Sequence, residues 1–156
     1  MKEKELFMRR AIELSIQNIK EEGGPFGAVI VKDGTIISEG VNRVTANHDP
    51  TAHAEVNAIR EACRKLGTFS LEGCEIYSSC EPCPMCLSAI YWAHLDKIYY
   101  AGSKEDAKAA GFDDAHIYEE LSLPPSKRDC HSEELLREEA VQAFNAWKES
   151  NEKVNY

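Results

Sequence analysis

Apolar residues recur at helical spacing near the start of the chain. Met8, Ile12, Ile16 and Ile19 follow one another at steps of four, four and three, and Phe7, Ala11 and Leu14 widen the same stripe. That pattern predicts a helix over 2–22. Gly23-Gly24 stops it and Pro25 forbids its continuation. Residues 27–32 and 35–41 are β-branched runs with Asp33-Gly34 between them, a strong signal for an antiparallel hairpin. Asp49-Pro50-Thr51 reads as a helix start, Asp being a good N-cap and Pro favoured at the first helical position. The helix it predicts runs to about Leu66, with Gly67 as C-cap. Strands are expected at 75–79 and 97–101 and a helix from Pro82 to Ala93. Shorter helices are expected at 104–110 and 117–121, with a break at Leu123-Pro124-Pro125 and a short fifth strand at 128–131. A final helix over 132–150 would carry Leu135, Leu136, Ala140, Ala143, Phe144 and Trp147 on its apolar side.

Helices alternating with strands after an initial hairpin imply an α/β fold. The expected architecture is a three-layer α-β-α arrangement around a mixed, mainly parallel five-stranded sheet. The 156 residues are one domain's worth. A chain of this length buries roughly 70% of its unfolded surface, enough for a core without disulfides. No internal repeat or linker interrupts residues 1–156, so a single domain is expected.

Charge narrows the partners. Acidic residues outnumber basic ones 27 to 18, for a net charge of −9, whereas a general phosphate-backbone binder shows a basic excess. No nucleic-acid partner is therefore expected. No apolar run approaches the ~20 residues of a membrane span, so no membrane association is expected. The mixed-charge N-terminus Met1-Lys2-Glu3-Lys4-Glu5 is not expected to be a signal peptide. The expected compartment is the cytoplasm. Six cysteines are present, at positions 63, 74, 80, 83, 86 and 130. Without a secretory signal, and with three of them within seven residues, metal binding explains them better than disulfides.

Two clusters carry chemistry. One is His53-Ala54-Glu55, at the start of the second long helix. The other is Pro82-Cys83-Pro84-Met85-Cys86, where the third strand passes into its helix. Cys83 and Cys86 lie three apart and project from one side of the first helical turn. An imidazole and two thiolates form a borderline-soft donor set suited to Zn²⁺. Both helix N-termini would favour the deprotonated ligands. Three protein ligands leave a fourth position for water, whose pKa zinc lowers from roughly 15.7 to about 7. Glu55, two residues from His53, is placed to take that proton. Two other readings of the cysteines compete: a closed structural zinc site with Cys80 as fourth ligand, and an iron–sulfur site that would leave His53 unexplained.

His-x-Glu followed by Pro-Cys-x-x-Cys, with 29 residues between the His and the first Cys, is the zinc-deaminase signature. The chain resembles the cytidine deaminase superfamily. The stretches 24–34, 49–55, 79–86 and 110–114 are similar to those of the short bacterial guanine deaminases within it. The similarity spans most of the chain to about Leu121, and more loosely the last helix and Tyr156. The resemblance implies the cytidine deaminase-like fold and hydrolytic deamination of guanine to xanthine. It implies one zinc per chain held by His53, Cys83 and Cys86, with water as fourth ligand, and Glu55 as main proton shuttle. It further implies Asp114 as a second acid near the amino group, Phe26 stacking on a purine, Asn42 and the Ala54 backbone contacting it, and Trp92 and Tyr156 walling the pocket. A homodimer is also implied, with the C-terminal helix and tail (about 132–156) covering an active site, either the chain's own or one exchanged between subunits. Guanosine, a cytosine compound, a triazine and adenosine in tRNA are the rival substrates. The acidic last helix counts against RNA. A zinc-stabilised binding module without turnover is the reading from another class.

Overall fold

Asp33 and Gly34 both adopt positive φ, +48° and +75°, as a tight hairpin with the twist of its strands requires. The computed structural model, which describes residues 2–156, accordingly pairs β1 (Gly27–Lys32) with β2 (Thr35–Val41) antiparallel. The sheet then grows by β3 (Cys74–Cys80) and β4 (Lys97–Gly102) in the order β2-β1-β3-β4. The β3–β4 pairing is parallel and the β1–β3 pairing antiparallel. The sheet is mixed as expected, but with four strands rather than five and one parallel pairing among three. The expected fifth strand at 128–131 does not form. Its place is taken by a 3₁₀ turn, Pro125–Lys127, and irregular chain beyond it. The polar sequence there offers no alternating face to bury.

Two compact units divide the chain, one ending at Asp114 and the other spanning Ala115–Tyr156. In the first, the strand period of two sorts the core onto two faces. Val29, Val31 and Tyr77 lie with Phe7, Met8 and Leu14 of α1 (Lys2–Lys20). Ala28, Ile30 and Ile76 lie with Ala54, Ala58 and Ala62 of α3 (Ala54–Leu66) and Ile90 of α4 (Pro84–Trp92). This is the expected three-layer arrangement. A one-turn helix α2 (Val44–Asn47) lies between β2 and α3, and α5 (Lys104–Ala109) follows β4 behind a Ser103–Asp106 capping box.

The buried face of α1 is rotated from the one its sequence suggests. Ala11, Ser15 and Asn18 are buried, whereas Ile16 and Ile19 are more than half exposed. Close backbone approach selects the small residues: a Cβ on Gly27 would overlap the Ala11 carbonyl oxygen and lie 2.8 Å from the Leu14 Cβ. Gly40 plays the same part on the opposite face. A Cβ there would overlap the Ala54 carbonyl oxygen and lie 2.5 Å from the Ala58 nitrogen. The start of α3 thus rests directly on β2.

In the second unit, α6 (Ala115–Leu121) is followed by the 3₁₀ turn and then α7 (Arg137–Glu149). His116 Nε2 stands 3.4 Å from Glu120 Oε1 and 3.2 Å from Asp129 Oδ2, holding the 129 segment to α6. The last helix begins at Arg137 rather than at 132 because Leu136 takes a left-handed φ of +56°. An L-residue in that conformation interrupts a right-handed helix. No residue of this unit is buried.

Candidate active site

The segment before α3 does not continue the helix back to Asp49. Asp49 Oδ1 accepts from the Thr51 N–H at 2.9 Å and its hydroxyl at 2.6 Å, closing a turn of its own. Asn57 Nδ2 donates to the Val41 carbonyl at 2.8 Å, and the Arg43 N–H donates to the Ala52 carbonyl at 2.8 Å. These bonds tie the segment to the end of β2. His53 is thereby left extended (φ −72°, ψ 157°) as the N-cap of α3. Cys83 is the N-cap of α4, also extended (φ −68°, ψ 170°), with Pro84 at the first helical position and Cys86 one turn in.

Two helix N-termini therefore meet at one point. His53 Nδ1 lies 3.5 Å from Cys83 Sγ and 3.4 Å from Cys86 Sγ. The ligand atoms of the three residues all fall within 4.8 Å of one another. Charge is shared unevenly between them. The Cys86 thiol and then His53 donate to Cys83 and hold it at about 4, well below an ordinary thiol, against the opposing effect of burial. The same Cys83 thiolate pushes the Cys86 thiol up and raises His53. An imidazole and two cysteine sulfurs thus share one locus, the donor chemistry a soft dication takes. The donor set fits Zn²⁺. Cys80 does not complete a four-ligand site: its Sγ points to the Ser103 carbonyl at 3.8 Å, and burial lifts its thiol to about 11.

Glu55 is 6% exposed, and desolvation raises its carboxyl, with the neighbouring Cys83 charge adding to the effect. A buried carboxyl with an elevated pKa beside the His-Cys-Cys group has the character of a proton-transfer residue. Asp114, half-buried at the end of the first unit, is also raised, by desolvation first and by Cys83 among its charged neighbours. The Ala54 backbone belongs to the first turn of α3, beside Glu55.

Phe26 and Asn42 are joined through the main chain. The Asn42 N–H donates to the Phe26 carbonyl at 3.3 Å. Phe26 meets Phe112 edge to face, with centroids 4.9 Å apart and planes at 84°. Asn42 is buried, and its Oδ1 accepts from the Val44 N–H at 3.2 Å. Trp92 sits at the far end of α4, roughly 9 Å along the axis from Cys86 at 1.5 Å per residue, and is 65% exposed. Tyr156 ends the second unit, exposed.

Reasoning from the sequence passed over two residues that shape this region: Asn18 and Asn57. Asn18 and Asn57 are amide side chains on helix faces that pack against the sheet, the signal that marks them. Phe112 lies in the 110–114 stretch named above, where no role was assigned to it, and packs on Phe26.

The fold and the paired N-caps define a zinc-binding deaminase site. The chain belongs to the family described as the cytidine and deoxycytidylate deaminase zinc-binding region, whose model matches residues 1–102. It is 50% identical to the guanine deaminase of Bacillus subtilis (strain 168) over 153 residues, 97% of this chain and 98% of that one. The crystal structure of guanine deaminase from Bacillus subtilis matches with a TM-score of 0.95 and 50% identity, covering 97% of this chain and 98% of that one. A tRNA-specific adenosine deaminase from Aquifex aeolicus (strain VF5) is 45% identical over 98 residues, 63% of this chain and 65% of that one.

Proposed function

We propose that this chain is a zinc-dependent guanine deaminase, converting guanine and water to xanthine and ammonia. One observation carries the reading. Similarity to a tRNA-specific deaminase covers 98 residues, whereas similarity to a guanine deaminase runs over 153, through the C-terminal unit. The net charge of −9 points the same way, toward a neutral base and away from RNA.

His53, Cys83 and Cys86 would hold the metal. Zinc, when bound, acts as a Lewis acid that lets water lose a proton near neutral pH. Phe26 stacks on the purine, its ring steadied by Phe112. Asn42 has its Oδ1 committed to Val44, so its Nδ2 is the donor offered to an acceptor on the base. The Ala54 backbone contacts the base. Glu55 takes the proton from the attacking water as the oxygen bonds to C2, and passes it to the adjacent ring nitrogen. Glu55 or Asp114 then carries the proton of the new C2 hydroxyl to the exocyclic amine; the C2–N bond breaks as the C2 carbonyl forms, and ammonia leaves.

Trp92 and Tyr156 are the proposed walls of the pocket. The active form is a homodimer in which residues 132–156 cover an active site. This is supported by exposed Phe144, Trp147 and Val154 in a unit without a buried residue, and by exposed Tyr91 beside Trp92 on α4. A cytoplasmic location is the corresponding proposal; no helix among the described residues is long and apolar enough to cross a membrane. An ultraviolet assay over guanine, guanosine, adenine, cytosine and cytidine tests the substrate. Turnover of guanine in preference to the others supports the reading, and preference for a nucleoside or for cytosine overturns it.

A further inference from the structure

Asn18 is 1% exposed and lies on the buried face of α1. Its Nδ2 donates to the Gly24 carbonyl at 2.8 Å and to the Asn42 carbonyl at 2.9 Å. Its main-chain carbonyl accepts from the Gly23 N–H at 2.9 Å. A single amide group thus ties the Gly24-Pro25-Phe26 segment to Asn42. The Asn42 N–H, donating to the Phe26 carbonyl, closes the same connection from the other side. Gly23 makes room for it: a Cβ there would overlap Asn18 Nδ2 and lie 2.8 Å from the Asn42 carbonyl oxygen.

Packing alone does not account for an asparagine at this position. Its Oδ1 is buried and has no hydrogen-bond partner, a penalty that an apolar side chain of the same size would avoid. What that apolar residue could not do is donate two bonds at once to carbonyls 18 residues apart in sequence.

We infer that Asn18 is a positioning residue for purine recognition, setting the placement of Asn42 relative to Phe26 without touching the substrate. The inference rests on the proposed function, in which Phe26 stacks on the base and Asn42 donates to it. Asn18 belongs to neither the metal group nor the proton path, so its loss should appear in substrate binding rather than in turnover.

The test is a double-mutant cycle between Asn18→Leu and Asn42→Ala, read as KM and kcat on guanine, with zinc content and melting temperature measured on every variant. Asn18→Ser, which keeps one shorter donor and adds no bulk, serves alongside in case the leucine variant does not fold. Loss of buried hydrogen bonds of this kind corresponds to about a tenfold rise in KM. The expected result is that rise in Asn18→Leu, a smaller one in Asn18→Ser, and unchanged kcat and zinc. The double variant should be no worse than Asn42→Ala alone. Multiplying effects, a fall in kcat with KM unmoved, or no change in KM would each overturn the inference while leaving the deaminase reading intact. Absence of any purine turnover by the unmodified protein would overturn the proposed function and this inference with it.

Discussion

His53 and Cys83, thirty residues apart in the chain, are N-caps of different helices and meet with Nδ1 and Sγ 3.5 Å apart. Each is held extended where its helix begins, so the side chains converge on one point. The Cys83 sulfur pushes the Cys86 thiol up and raises His53, and ligands to zinc have to give up their protons. Zinc added to chelator-treated protein in weak buffer should therefore release protons, measured by titration calorimetry in buffers of different ionisation enthalpy. Cys83→Ser and His53→Ala should lose most of the bound zinc on metal analysis.

Glu55→Gln separates metal binding from proton transfer. The amide keeps the size of the buried side chain but takes no proton. Zinc content should stay at one per chain, while kcat on guanine falls by about 10²- to 10⁴-fold, the usual contribution of a general base. Steady-state kinetics with metal analysis on the same sample checks both.

Gly40 lets α3 lie on β2, and α3 carries both Glu55 and the His53 cap. Gly40→Ala should push the helix outward and cost about 1–3 kcal/mol, the usual penalty for overpacking. Urea denaturation measures the loss. Zinc affinity should fall together with stability, because the moved element holds a ligand.

Much of this organisation was legible in the sequence. The Asp33-Gly34 hairpin and the limits of β1 and β2 followed from turn chemistry and β-branched runs. His53, Glu55, Cys83 and Cys86 followed from donor chemistry and spacing. What escaped depended on tertiary contact. On α1, isoleucines marked a stripe, yet the sheet took Ala11, Ser15 and Asn18, because Gly27 brings the backbones close and Asn18 has carbonyls to reach. Asp49 and Pro50 carried a helix-start signal, but the Asp49 side chain caps Thr51 locally. The helix then begins at Ala54. No local signal distinguishes those two uses of an aspartate.

Arg10 Nε and Nη2 donate to the two Glu39 carboxylate oxygens at 2.5 and 3.0 Å, joining α1 to β2. Arg10 holds the Glu39 carboxyl below the usual glutamate range. A folded-state pKa below the unfolded one gives stability that is present above the unfolded value and lost as pH falls through the folded one. Both side chains are about one-third exposed, so solvent screening limits the contribution to about 1 kcal/mol or less. Urea midpoints between pH 6 and pH 3 should fall less steeply in Glu39→Gln than in the unmodified protein.

The most direct measurement is the simultaneous release of xanthine and ammonia from guanine by protein carrying one zinc per chain, before and after the metal is stripped and restored. The account predicts equimolar xanthine and ammonia, loss of both on stripping, and recovery with zinc. Zinc-replete, folded protein that releases no ammonia from guanine would contradict it.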